Sequence, residues 1–112
     1  MAGLSTHILD TSRGRPAANV PVSLERLEGG AWAALGAGVT DGDGRNRGLL
    51  GAAALTAGRY RLTFDTGAYF AARGEAGFYP EVQVVFDIVD ASQHHHVPLL
   101  LNPFGYSTYR GS

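Results

Sequence analysis

The sequence predicts an all-β fold, a sandwich of two antiparallel sheets with one short helix, and three observations carry that prediction. Sixteen glycines lie between short apolar runs rather than inside long ones, which is how strands joined by turns are punctuated. Apolar residues recur with a period of two in several segments, each with polar groups in between, as in sheets with one buried and one solvated face. Turn-forming clusters separate these segments at short intervals, and seven or eight strands in 112 residues is the strand density of a sandwich.

Taken in order, residues 4–9 are the first candidate strand, closed by the turn "SRGRP" at 12–16. "NVPVSLER" follows, with Val20, Val22 and Leu24 on one face, and "EGG" at 28–30 turns the chain into a strand over 31–37. "DGDG" at 41–44 is the next tight turn. "RYRLTFDT" puts Tyr60, Leu62 and Phe64 on one face, and "EVQVVFDIVD" does the same with Val82, Val84, Phe86 and Ile88. Between these two, "GAYFAARG" (67–74) has the Ala, Phe and Arg content of a short helix. Residues 94–101 and 105–110 are the last strands, joined by "NPFG" as an antiparallel hairpin. No repeat, linker or low-complexity tract interrupts the pattern, so a single domain over 1–112 is expected.

Composition narrows the function classes. The absence of cysteine removes disulfide frameworks, thiolate metal sites and thiol nucleophiles. Nine basic and ten acidic residues give a formal charge of −1, and no basic stripe interleaved with aromatics is present, so no nucleic-acid partner is expected. No apolar run nears the roughly 18 residues of a membrane span. "MAGLSTHILD" lacks the charged and apolar regions of a secretory signal. A cytoplasmic protein without a membrane partner is the expectation.

Three of the four histidines are consecutive, His94, His95 and His96, with His7 near the start. Strand alternation places His94 and His96 on one face and His95 on the other. That spacing suits two metal ligands, with His7 as a third; it equally suits metal-free acid–base work, or a solvated strand end. "TDGDGR" at 40–45 resembles the start of a calcium loop, but the twelfth positions counted from Asp41 and Asp43 are Ala52 and Ala54 rather than glutamate, so calcium is excluded. What is left is a tight turn ending on Arg45, either solvated or a fixed fork for an anion or polarised carbonyl. Ser12 and Ser107 lie in no nucleophile-elbow sequence.

"THILDTSRGRPAANVPVSL", "TDGDGR", "GFYPEV", "HHHVPLLL" and above all "YRGS" at 109–112 resemble the 5-hydroxyisourate hydrolase family, the transthyretin-related enzymes of urate breakdown. The resemblance runs from about residue 4 to residue 112. It implies a transthyretin-like sandwich of two four-stranded sheets with one short helix, assembled as a homotetramer (a dimer of dimers) with sites where the dimers face each other. The implied reaction is hydrolysis of the cyclic amide of 5-hydroxyisourate to 2-oxo-4-hydroxy-4-carboxy-5-ureidoimidazoline, with no metal or organic cofactor. By motif position it implies His7, Arg45 and His96 as catalytic residues, with His7, Arg45, Tyr109, Arg110 and Ser112 binding substrate and Gly111 between the last two. The family commonly has tyrosine where this chain has His95; a side chain there is expected to point away from His96, as a surface difference.

Amide hydrolysis needs an activated water, charge stabilisation at the carbonyl oxygen and a proton for the leaving nitrogen. His7 and His96 suit the first and last tasks near neutral pH, Arg45 the second, and Tyr109 and Ser112 orientation. Two other classes are weighed against this one. A non-catalytic small-ligand carrier of the transthyretin type would lack "YRGS" and the paired histidines; a zinc hydrolase on His94, His96 and His7 would want an Asp or Glu as general base.

Overall fold

A computed structural model describes residues 3–51 and 53–112. Its elements are β1 (Gly3–Asp10), β2 (Arg15–Pro16), β3 (Pro21–Glu28), β4 (Ala31–Val39), β5 (Arg45–Asn46), β6 (Gly58–Phe64), α1 (Thr66–Ala72), β7 (Val82–Ile88), β8 (His94–Asn102) and β9 (Gly105–Thr108). They form two sheets. One runs β4-β3-β6-β7; the other runs β2-β1-β8-β9, with β5 pairing on β1 beyond its main path.

The first sheet is antiparallel throughout, and its alternation is the one read from the sequence. Val20, Val22, Leu24, Tyr60, Leu62 and Phe64 are fully buried, as are Val82 and Ile88, while Val84 and Phe86 pack half-buried against them. Leu4, Ile8, Val97, Leu99 and Leu101 close the core from the other sheet. Burying a side chain of this size is worth about 1.5–3 kcal/mol, so this shared apolar layer fixes the register of both sheets.

The second sheet is mixed. β1 and β8 pair in parallel over the whole of β1, from Gly3 opposite His94 to Asp10 opposite Leu101. β8 and β9 form the expected hairpin, Leu99 opposite Thr108 through Asn102 opposite Gly105, turning through Pro103 and Phe104. The helix starts one residue earlier than its sequence suggests, because Asp65 caps it: its carboxylate accepts from the Ala68 N–H at 3.0 Å. Tyr69 and Phe70 then seat the helix on the core, and Tyr69 donates its hydroxyl to the buried Asp10 carboxylate at 2.7 Å. Burial and that hydrogen bond push the Tyr69 phenol well above its usual range.

Candidate active site

Side chains of β1 and β8 that do not enter the core emerge on the outer face of the second sheet. Leu4, Thr6 and Ile8 point inward, which turns Ser5 and His7 outward; Val97, Leu99 and Leu101 point inward, which turns His94 and His96 outward. Ser5 stands opposite His96 in the parallel ladder. β5 adds the cation: Arg45 is the antiparallel partner of His7, and directly opposed residues of a pair share a face. Three residues separated by up to 89 positions in sequence, His7, Arg45 and His96, thus meet on one surface.

The turn that carries Arg45 is the one that resembled a calcium loop. The Asp41 carboxylate accepts from the N–H groups of Asp43 (2.9 Å) and Arg45 (3.0 Å), and these bonds hold Asp41 below the usual carboxylate range, with Arg45's contribution first. Gly44 has a left-handed φ of 75°. A Cβ there would come within 2.4 Å of the Ile8 carbonyl oxygen, and the Gly44 carbonyl accepts from the Ile8 N–H at 2.7 Å. Only glycine lets the turn lie this close to β1. Asp41 thus acts as a clamp that delivers Arg45 to His7.

Ser5 was not singled out by the sequence, yet it lies at the centre of the cluster. It is 6% exposed, and its Oγ sits 2.8 Å from His94 Nε2 and 2.8 Å from His96 Nδ1. The signal was available, because residues 5 and 7 share a strand face.

His95 requires a correction. It points away from His96 as expected, but it is not a surface residue: it is only 5% exposed, and its Nδ1–H donates to the Gln93 carbonyl at 3.0 Å. The reason is that residues 95, 97, 99 and 101 share the inward face of β8, so His95 continues the row of Val97, Leu99 and Leu101.

The 109–112 segment divides. β9 ends at Thr108, and pairing resumes at a single bridge in which the Gly111 N–H donates to the His96 carbonyl at 2.8 Å. A Cβ on Gly111 would lie 2.6 Å from His96 Cδ2, so the glycine is pressed against the imidazole. Ser112 follows and is exposed. Tyr109 and Arg110 go elsewhere. They line a cleft of about 250 Å³ at the sandwich edge with Phe86, His95 and Val97, and Arg110 donates to the Gln93 side chain at 2.9 Å. Within one chain, Gly111 reaches the His7–Arg45–His96 cluster and Tyr109 and Arg110 do not.

The cluster is electropositive. Burial first, then the charges of Arg45, His7 and His94, hold the His96 imidazolium below its ordinary range, against a hydrogen bond at Ser5 that works the other way. Among the described residues Arg45 makes no ion pair. The face therefore offers a neutral imidazole beside an unneutralised guanidinium, the combination that activates water next to a developing oxyanion. Metal chelation fits poorly, since the ring nitrogens of His94 and His96 both turn to Ser5 rather than to a common centre. Among the described residues no three His, Cys, Asp or Glu side chains are placed to hold an ion.

The fold is a transthyretin-type sandwich, and the candidate site is a histidine–arginine cluster on one sheet face. Residues 4–111 match the HIUase/Transthyretin family, and the chain belongs to that family. It is 48% identical over 109 residues to the 5-hydroxyisourate hydrolase of Salmonella dublin, an alignment covering 97% of this chain and 80% of that protein. The solved 5-hydroxyisourate hydrolase of Klebsiella pneumoniae superposes with a TM-score of 0.87 at 48% identity over the full length of both chains. Sea bream transthyretin, solved with thyroxine, superposes with a TM-score of 0.91 at 35% identity, covering 97% of this chain and 94% of that one.

Proposed function

We propose that this chain hydrolyses the cyclic amide of 5-hydroxyisourate in urate breakdown, using His7, Arg45 and His96 on the outer face of the second sheet. The observation that carries the reading is the convergence of those three residues, with Gly111 closed on His96, in a chain nearly half identical to 5-hydroxyisourate hydrolases over almost its whole length.

In this reading His96, kept neutral by its surroundings, takes a proton from water at Nε2. The hydroxide oxygen bonds to the amide carbonyl carbon, and Arg45 holds the oxygen that becomes anionic. Collapse of that intermediate breaks the ring C–N bond, and His7 gives the leaving nitrogen its proton. Ser112, next to Gly111, orients substrate and water. Tyr109 and Arg110 face a different cleft in their own chain, so in this reading their part in binding substrate depends on assembly.

The assembly we propose is a homotetramer. β7 and β9 are the end strands of their sheets and lie at the same edge of the sandwich, with Val85 and Tyr106 exposed. Joining two copies along these edges would continue both sheets and satisfy their unpaired backbone groups. Two such dimers facing each other across the His7 surface would enclose the site. The reading also includes a cytoplasmic location and a metal-free reaction; no described helix is long and apolar enough to cross a membrane.

The test is to generate 5-hydroxyisourate with urate oxidase and follow its ultraviolet decay with and without the protein, before and after exhaustive chelation. Accelerated decay that survives EDTA is expected. No acceleration would favour a ligand carrier, as the sea bream likeness would allow, and activity lost to EDTA and restored by zinc would overturn the metal-free chemistry.

A further inference from the structure

We propose that Ser5 is a positioning residue that links His94 to His96 as a proton relay, so that His96 passes a proton outward from Nδ1 while its Nε2 takes one from the attacking water. The inference rests on the hydrolytic reading of this face.

Two arrangements of these contacts can pass a proton along the chain; a third, in which both rings donate to Ser5, cannot. A serine hydroxyl has one hydrogen, so Ser5 can donate to one imidazole and accept from the other, never donate to both. In the first state His96 Nδ1–H donates to Ser5 Oγ, and the Ser5 O–H donates to His94 Nε2. His96 Nε2 then keeps its lone pair and is a base. In the second state every bond is reversed: His94 Nε2–H donates to Ser5, Ser5 donates to His96 Nδ1, and His96 carries its proton on Nε2. The first state becomes the second when Nε2 gains a proton from water, Nδ1–H passes its proton to Ser5 Oγ, and the serine proton moves to His94 Nε2. One proton enters at Nε2 and one arrives on His94, so His96 ends neutral and His94 ends as an imidazolium.

The surroundings favour that direction. The titratable and charged groups facing His96 are His7 on β1, Arg45 on β5 and His94 on its own strand, with Gly111 closing from the 109–112 segment. A lasting imidazolium at half-buried His96 would repel Arg45. His94 is exposed, so a charge placed there is solvated. Both rings are braced by glycines: Cβ positions on Gly111 and Gly3 would fall 2.6 Å from His96 Cδ2 and 3.0 Å from His94 Nδ1. The place behind a working imidazole, usually held by a carboxylate or carbonyl, is here held by a hydroxyl backed by a second imidazole.

The test pairs kinetics with histidine ¹⁵N NMR. Ser5→Ala should lower kcat by about 10–100-fold, up to the scale of a small misplacement at the reacting centre, with a much smaller change in KM, and Ser5→Thr should restore most of it. His94→Gln should lower kcat as well, and the double variant should lose no more than the worse single one, because both changes cut one chain. In the ¹⁵N spectrum, Ser5→Ala should abolish the single preferred tautomer of His96. Wild-type kcat in Ser5→Ala, or losses that add while the His96 pattern stays unchanged, would overturn the relay. If the wild-type protein does not hydrolyse 5-hydroxyisourate, the proposed reaction falls, and the His96 pattern in Ser5→Ala alone decides whether the relay stands.

Discussion

The outer faces of the two sheets carry the same kinds of cation to opposite effect. On the β4-β3-β6-β7 sheet each arginine of β6 has an acid across the ladder. Arg59 meets Asp87 at 2.7 Å and Arg61 meets Glu25 at 2.7 Å, while Arg61 also lies over the Trp32 ring at 4.5 Å. The Arg59 guanidinium holds the Asp87 carboxyl below its usual range. A solvent-exposed pair such as Arg59–Asp87 adds little to stability; with the more buried Arg61–Glu25 pair it keeps this sheet face quiet. On the β2-β1-β8-β9 sheet, Arg45 and three histidines share a face without an ion pair among the described residues. The positive potential is left for something else to neutralise, and in the proposed reaction a substrate carbonyl becoming an oxyanion would do that. The difference teaches that the proposed site is marked by missing counter-charges rather than by an abundance of charged groups.

Breaking the second face should cost activity far more than stability. Deleting Tyr109 to Ser112 removes the Gly111–His96 bridge but none of the core residues. Turnover should fall about 10²-fold, the scale of a small misplacement at the reacting centre, with the melting temperature little changed. Steady-state kinetics beside thermal melts decide it, and a truncated protein at wild-type rate would leave those four residues without a role.

Arg45→Ala should lower turnover less steeply and shift its pH dependence. Arg45 is the largest charge effect depressing His96, so the neutral base now persists below its ordinary value of about 6.5. Removing the guanidinium should raise the acid limb of the kcat/KM profile towards that value. A limb that stays in place or moves down would show that Arg45 does not act on His96. The same sign governs stability: a depressed histidine leaves the folded state with fewer protons than the unfolded chain, so this group's contribution is complete above about pH 6.5 and is lost as pH falls towards the folded value.

The smallest effect belongs to the quiet face. Glu25→Ala should lower the melting temperature modestly, since it breaks a partly buried pair, and leave kcat unchanged.

Much of this was legible in the sequence, and the gaps have physical reasons. Strands with strict alternation, such as Tyr60–Leu62–Phe64, announced their buried face because the side-chain period is a property of the strand itself. The parallel pairing of β1 with β8 was not visible, since local alternation does not name a partner some 90 residues away. β2 and β5 have two residues each, too few to show a period, although β5 places Arg45. His7, Arg45 and His96 were reached through motif resemblance, whereas Ser5 acts through hydrogen bonds that no motif marked, and Asp41, inside "TDGDGR", was weighed only as a calcium-loop position. His95 was readable and misread: extending the Val97, Leu99, Leu101 row back by two positions places it inside.

The central claim, that catalysis belongs to one sheet face and structure to the other, is tested most directly by one side-by-side measurement. His7→Ala/His96→Ala and Glu25→Ala/Arg61→Ala are assayed for 5-hydroxyisourate decay beside the wild type, each with a thermal melt. A positioned acid–base group contributes about 10²–10⁴-fold, or roughly 3–5 kcal/mol in the barrier, so the histidine double variant should melt near wild type and lose at least that factor. The ion-pair double variant should turn over at the wild-type rate with a slightly lower melting temperature. A folded histidine double variant that keeps its rate, or an ion-pair variant that loses it, would contradict the account.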